Sequence, residues 1–200
     1  METTKQQILT RAFGLFLSCS YREVTLNKLL KETGISRGAF YHHFVSKEEL
    51  FAEVVDQFFF GASEGVDLIP LPEAGFVENM TYFLDSKQQA FKWFASKYGV
   101  DENQLNFFLF IVEAIRHLPG VREKFTELVA HETQQVKSIL QAAADMGEIR
   151  PDADLDFLAR HIVKAFDGYE MHGVLLGRFP ETIRQEKDMV NYLWTLIKSP

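Results

Sequence analysis

The sequence predicts an all-α chain, and three observations lead there. Apolar residues recur at three- and four-residue spacing through most long segments. No stretch sustains the two-residue alternation of a half-buried strand. Glycine and proline gather at a few points between the periodic segments. With 200 residues, 46% of them hydrophobic and 24% charged, the chain has the make-up of an ordinary globular protein with a substantial core. Its single cysteine, Cys19, excludes an internal disulfide framework, fits a reducing compartment and reads as a small buried filler. The N-terminal METTKQQ has no apolar signal core, and no apolar run approaches the ~18 residues of a membrane span. The expected location is the cytoplasm.

The first helix is expected over residues 3–17, with Ile8, Ala12, Leu15 and Phe16 in one stripe widened by Leu9 and Phe13. Thr25 caps a second, short helix whose apolar face is Leu26, Leu29 and Leu30. Gly34 ends it, at a position that often needs the positive φ glycine adopts without strain. Ser36 caps a third helix over residues 37–43, after only the Gly34-Ile35 corner. Two helices crossing through so short a turn make a helix-turn-helix, which lays its second helix in the DNA major groove. Ser46 and Glu49 form a capping box opening a helix over residues 48–65. Prolines 70 and 72 and Gly75 interrupt it within residues 67–75. Further helices are expected over residues 76–97, 104–117, 121–146, 154–176 and from 181 to 197, making about nine in all.

Thr25, Gly34-Ile35-Ser36, Gly38, Phe40-Tyr41, His43-Phe44 and Ser46-Lys47-Glu48-Glu49-Leu50 resemble the DNA-binding domain of tetracycline-repressor-type (TetR family) regulators. The family usually has glycine where this chain has Ser20 and alanine where it has Leu30. The first departure implies a differently closed helix end, and the second a bulkier contact between the two short helices. The resemblance implies two domains: a three-helix DNA-binding head over residues 1–47, and a six-helix effector-binding and dimerisation body over residues 48–200. Charge divides accordingly. The net charge is −7, yet residues 1–50 carry seven Lys/Arg against five Asp/Glu, so the acid is concentrated in the remainder. Phosphate affinity depends on where positive charge is displayed, not on the total.

Arg37 opens the recognition helix, where its planar fork can pair with guanine O6 and N7. Gly38 permits close backbone approach, Ala39 can meet a thymine methyl, and Tyr41 and His42 lie one turn on. Phe40 and Phe44 are expected to face the core. Thr25, His43 and Lys47 are placed for phosphates, with Asn27 exposed early on the first short helix and Ser36 counted with the DNA-binding residues. Adjacent His42 and His43 point to different helix faces, and Glu48 and Glu49 belong to a helix start, so no metal site is read here.

The body is rich in phenylalanine. Phe83, Phe94, Phe107, Phe108 and Phe110 could form a tight aromatic core, or line a cavity for a small apolar or aromatic effector with Glu113 and His117 as polar anchors. The family resemblance implies an effector site in this part of the chain. The last two helices carry apolar stripes that could pack inward or against a second copy; the resemblance implies a four-helix homodimer interface there, to which Leu158, Ile162, Phe166, Tyr169, Val190, Leu193 and Trp194 are assigned. No cofactor is expected. An enzyme would have to draw on Glu113, Arg116, His117 and His131, which form no nucleophile–base pair, metal-ligand spacing or phosphate-cradling loop. The chain therefore reads as a ligand-responsive repressor that binds a palindromic operator as a homodimer.

Overall fold

The computed structural model describes residues 4–61, 74–98 and 107–200, and these are helical almost throughout. Among the described residues nine α-helices run in order: α1 (Thr4–Ser18), α2 (Leu26–Thr33), α3 (Arg37–His43), α4 (Lys47–Val54), α5 (Phe76–Tyr98), α6 (Phe107–His117), α7 (Val121–Asp145), α8 (Leu155–Leu175) and α9 (Thr182–Ile197). One isolated antiparallel bridge, Ile149 with Lys198, is the only extended pairing among the described residues. No helix among them is long and apolar enough to cross a membrane. Residues 67–73 of the expected interruption and 104–106 of the expected helix start lie outside the described residues.

The local start and stop signals act as expected. Thr25 Oγ accepts the Lys28 amide at the start of α2, and Gly34 ends that helix at φ 72°. Ser36 Oγ accepts the Ala39 amide, and Ser46 Oγ accepts the Glu49 amide. The Glu49 carboxylate reaches back to the amide of Val45, which completes the capping box. At Ser20, where the family usually has glycine, both the backbone amide and the hydroxyl donate to Glu23, closing the turn after α1. One element differs from expectation. The helix after Ser46 does not stay α-helical: beyond Val54 it widens into a π-helical stretch, Val55–Phe60. The wider turn buries Val55, Phe58 and Phe60 together.

The chain forms two compact units. The first comprises Met1–Gly65 and Phe94–Phe125, so it joins the head to α6 and the start of α7. Its core is aromatic: Phe13 stacks on Phe58 at 4.7 Å and meets Phe110 edge-on, while Phe51 packs against Phe16 and Phe110. The second unit, Val66–Trp93 and Thr126–Pro200, has a core built from α5, α7, α8 and α9. Its fully buried members include Phe76, Phe83, Val136, Val163, Phe166 and Val190. The start of α5 has a distant cap, because the Phe76 amide donates to Glu148 from the turn after α7.

Two stripes run along α8 and α9, and the packing decides which one faces inward. Ile162, Phe166 and Val190, assigned from sequence to a dimer interface, are at most 3% exposed and form the unit's own core. Leu158, Leu193 and Trp194 pack partly buried against that core, and Tyr169 is half-buried. The outward stripe carries Phe157, Met171, Leu175 and Leu176 from α8 and its end, with Tyr192 and Leu196 from α9. Both faces are apolar, so periodicity alone could not rank them.

Candidate nucleic-acid interface

Helix α3 is held by its ends and its inner face. The Ser36 cap fixes its start, and Phe40 and Phe44, each 1% exposed and 5.7 Å apart, anchor its inner side. Arg37, Gly38, Tyr41 and His42 are exposed on the opposite side, while Ala39 and His43 are half-buried. The Arg37 guanidinium donates to Asn27 Oδ1 at 3.4 Å, which pairs the first residue of the recognition helix with the exposed residue expected beside it on α2. A Cβ added at Gly38 would meet no atom nearer than Ser36 Oγ at 3.9 Å. Packing within the chain therefore does not require glycine there, and the open space faces outward, where a duplex backbone can approach. Tyr41 is half-exposed, with its ring edge-on to Phe40.

Three side chains near this face are engaged within the chain. Lys47 donates to the Tyr21 carbonyl at 2.9 Å, with its ammonium 3.9 Å from the centre of the Tyr21 ring. Burial lowers its pKa, so the lysine ties α4 to the α1–α2 loop and does not extend toward a phosphate. Thr25 is exposed, but its hydroxyl is engaged as the α2 cap. Cys19, expected to be an inert filler, accepts from the Lys28 ammonium at 3.0 Å and is only partly buried.

The residues named for the effector site are divided between the two units. Phe83 belongs to the core of the second unit. Phe110, Glu113 and His117, on α6, belong to the first and face the head. Glu113, 9% exposed, accepts the Tyr21 amide at 3.2 Å, and its carboxylate lies 3.7 Å from His117 Nε2 and 3.5 Å from Arg116. The His117 ring packs on Tyr21 at 4.3 Å. Burial and the Glu48 carboxylate push the Tyr21 phenol well above its ordinary value. Phe108 is half-buried, and the side chains of Phe94 and Phe107 lie outside the described residues. Sequence reasoning missed the loop-to-helix link because its partners, Tyr21 and Glu113, are 92 residues apart and neither belongs to a local motif.

The capped, outward-facing α3 is the arrangement of a DNA-reading helix-turn-helix. The family described as bacterial regulatory proteins, tetR family, matches residues 8–54, from within α1 through the end of α4. Residues 8–54 thus match the DNA-binding domain of the tetR family. Relatives that match most of the chain are named as transcriptional repressors. It is 28% identical over 187 residues to the HTH-type transcriptional repressor AcnR of Corynebacterium efficiens, covering 94% of this chain and 90% of that one. It is 25% identical over 165 residues to the repressor KstR2 of Mycobacterium tuberculosis, covering 81% and 77%. Among solved structures, reduced NemR of E. coli shares the fold at a TM-score of 0.67 and 16% identity, covering 99% and 100% of the two chains. A regulator from Saccharomonospora viridis, solved in complex with choline, shares it at 0.67 and 18%, covering 98% of each. The chain is a DNA-binding transcriptional regulator and not an enzyme.

Proposed function

We propose that this chain is a cytoplasmic repressor whose homodimer binds a palindromic operator through α3 and is released by a small effector held in the body. The observation that carries the reading is the outer face of α3, where Arg37, braced by Asn27, stands beside the open Gly38 and the exposed Tyr41 and His42. Thr25, Ser36, Ala39, His43 and Lys47 complete the surface on this reading, with Thr25, Ser36 and Lys47 holding the helices at the angle the groove requires. Residues 1–47 act as the reading domain and residues 48–200 as the effector-binding and dimerising domain.

Two heads double the contacts when their spacing matches successive turns of the groove. The outward apolar stripe of Phe157, Leu175, Tyr192 and Leu196 supports α8 and α9 as the surface of a two-fold dimer. The Glu113–Tyr21 contact supports α6 as the lever between effector and head, because any shift of α6 pulls on the loop that positions α2. A tenfold loss of operator affinity requires an effector that favours the released state by about 1.4 kcal/mol.

Fluorescence anisotropy on duplexes tiling the DNA upstream of the chain's own gene, at two salt concentrations and with excess competitor, tests the reading. One tile should bind tightly, with affinity falling steeply as salt rises, and Arg37→Ala should abolish that preference. Absence of binding by a folded, ligand-free dimer at low salt would overturn it.

A further inference from the structure

In the second unit, five ionisable side chains from four helices form an inward layer one turn beyond the apolar core. Phe83, Val136, Val163, Phe166 and Val190 are core residues. Lys87, Glu132, Asp167, Glu170 and Glu186 each stand four positions from one of them on the same helix, and hence on the same face. Lys87 from α5 pairs with Glu132 of α7 and lies 3.5 Å from Glu170 of α8. Asp167, also on α8, and Glu186 of α9 share the same electrostatic environment, each sensing Lys87, Glu132 and Glu170. The neighbouring Lys187 is engaged by Asp85.

One ammonium thus serves four carboxylates. Glu186 is 3% exposed, and its Oε1 has no hydrogen-bond partner. A buried carboxyl oxygen without a donor is costly, and packing alone would favour an apolar residue there. Burial first, then the charge of Glu170, pushes the Glu186 carboxyl up to about 8, and burial raises Asp167 to about 6. The layer is built for a second positive charge. Its members do not converge as metal ligands, since no group of three His, Cys, Asp or Glu among the described residues is arranged to hold an ion. The Phe83 ring lies 5.8 Å from the Lys87 ammonium and offers a π face to an alkylammonium group. Lys87 and Glu170 keep about a third of their side-chain surface, 31% and 28%, open to solvent, so the layer is reachable.

We infer that this layer anchors an organic cation, its ammonium group lying against Glu186 and Asp167 in competition with Lys87 and its apolar part against the aromatic core. The inference rests on the reading of the body as effector-binding and names the effector's chemical class. Lys87 is then an internal competitor for the site, and Glu186 is its deepest anchor.

Isothermal titration of the full chain without DNA tests this, using hexylammonium as probe and hexan-1-ol as its neutral counterpart. Hexylammonium should bind and the alcohol should not compete with it. Glu186→Gln should weaken the cation about tenfold, whereas Lys87→Met should tighten it by a similar factor. Opposite signs from two neighbours in one layer are not what a purely structural role gives. Binding at pH 7 should release close to one proton, seen as a heat that changes with buffer ionisation enthalpy, and affinity should rise as pH climbs toward about 8 and level off above it. Asp167→Asn, at a half-buried position, should also weaken binding and serves if the Glu186 variant does not fold. Equal binding of hexan-1-ol, or no hexylammonium heat at pH 9 from a folded protein, would overturn the inference. A null titration by a chain that still binds its operator fails the cation site alone; a positive titration by a chain that binds no operator fails the regulator reading alone.

Discussion

Replacing Glu186 with Gln should stabilise the protein, and increasingly so as pH rises. The carboxyl moves from 4.5 when unfolded to about 8 in the fold, at a side chain 3% exposed. Between those values the unfolded chain has lost a proton that the folded chain keeps. The stability this group contributes is therefore fully present below pH 4.5 and is lost as pH rises through about 8. Each unit in that window removes about 1.4 kcal/mol, so by pH 7 the loss is at most about 3 kcal/mol. Glutamine carries no proton to lose and keeps the shape. Thermal melts from pH 4 to 9 should show the variant about 6–12 °C above the parent at pH 7, the gap closing to about 1 °C at pH 4.5. Asp167 contributes in the same direction in both proteins and cancels from the comparison. Parallel melting profiles for parent and variant, or a variant less stable at pH 8, would refute the assignment of Glu186 as a buried, unpartnered acid.

Other perturbations have defined outcomes. Glu113→Ala leaves the Tyr21 amide without its buried acceptor and should cost about 2 kcal/mol, with a melting point lower by about 4–8 °C; Glu113→Gln, which keeps an acceptor oxygen, should lose less. At Gly173, where α8 passes the start of α9, a Cβ would lie 2.3 Å from Thr182 Cγ2 and 3.2 Å from the Phe179 backbone. Gly173→Ala should therefore destabilise by about 1–3 kcal/mol in denaturant titration; unchanged stability would show that the α8–α9 contact is looser than described. Tyr192→Asp or Leu175→Asp, at 68% and 71% exposed positions, should leave the monomer folded but convert dimer to monomer in sedimentation equilibrium, with weaker operator binding in step.

Several features of this protein were legible in its sequence. The caps at Thr25, Ser36 and Ser46, the αL stop at Gly34 and the Glu49 return contact all formed as expected. Each satisfies a backbone group within four residues, so the information lies next to where it acts. Phe40 and Phe44 were likewise readable as the inner face of α3, because a helix of known ends fixes which side chains share a side.

The tertiary structure decided what depends on remote partners. Lys47 reads as a phosphate contact until the Tyr21 carbonyl and ring, 26 residues earlier, occupy its ammonium. Glu113 and His117 read as pocket anchors until the α1–α2 loop comes to rest on them. On α8 and α9 the sequence offers two apolar stripes, and only the packing of α5 and α7 makes Ile162, Phe166 and Val190 the inner one. The acidic layer shows the same division. The four-residue steps from core positions to Lys87, Glu132, Asp167, Glu170 and Glu186 are written in the sequence, but their meeting is not. Helix periodicity determines which residues share a face, whereas long-range packing determines which faces meet, and the charge imbalance of that layer exists only once four helices bring it together.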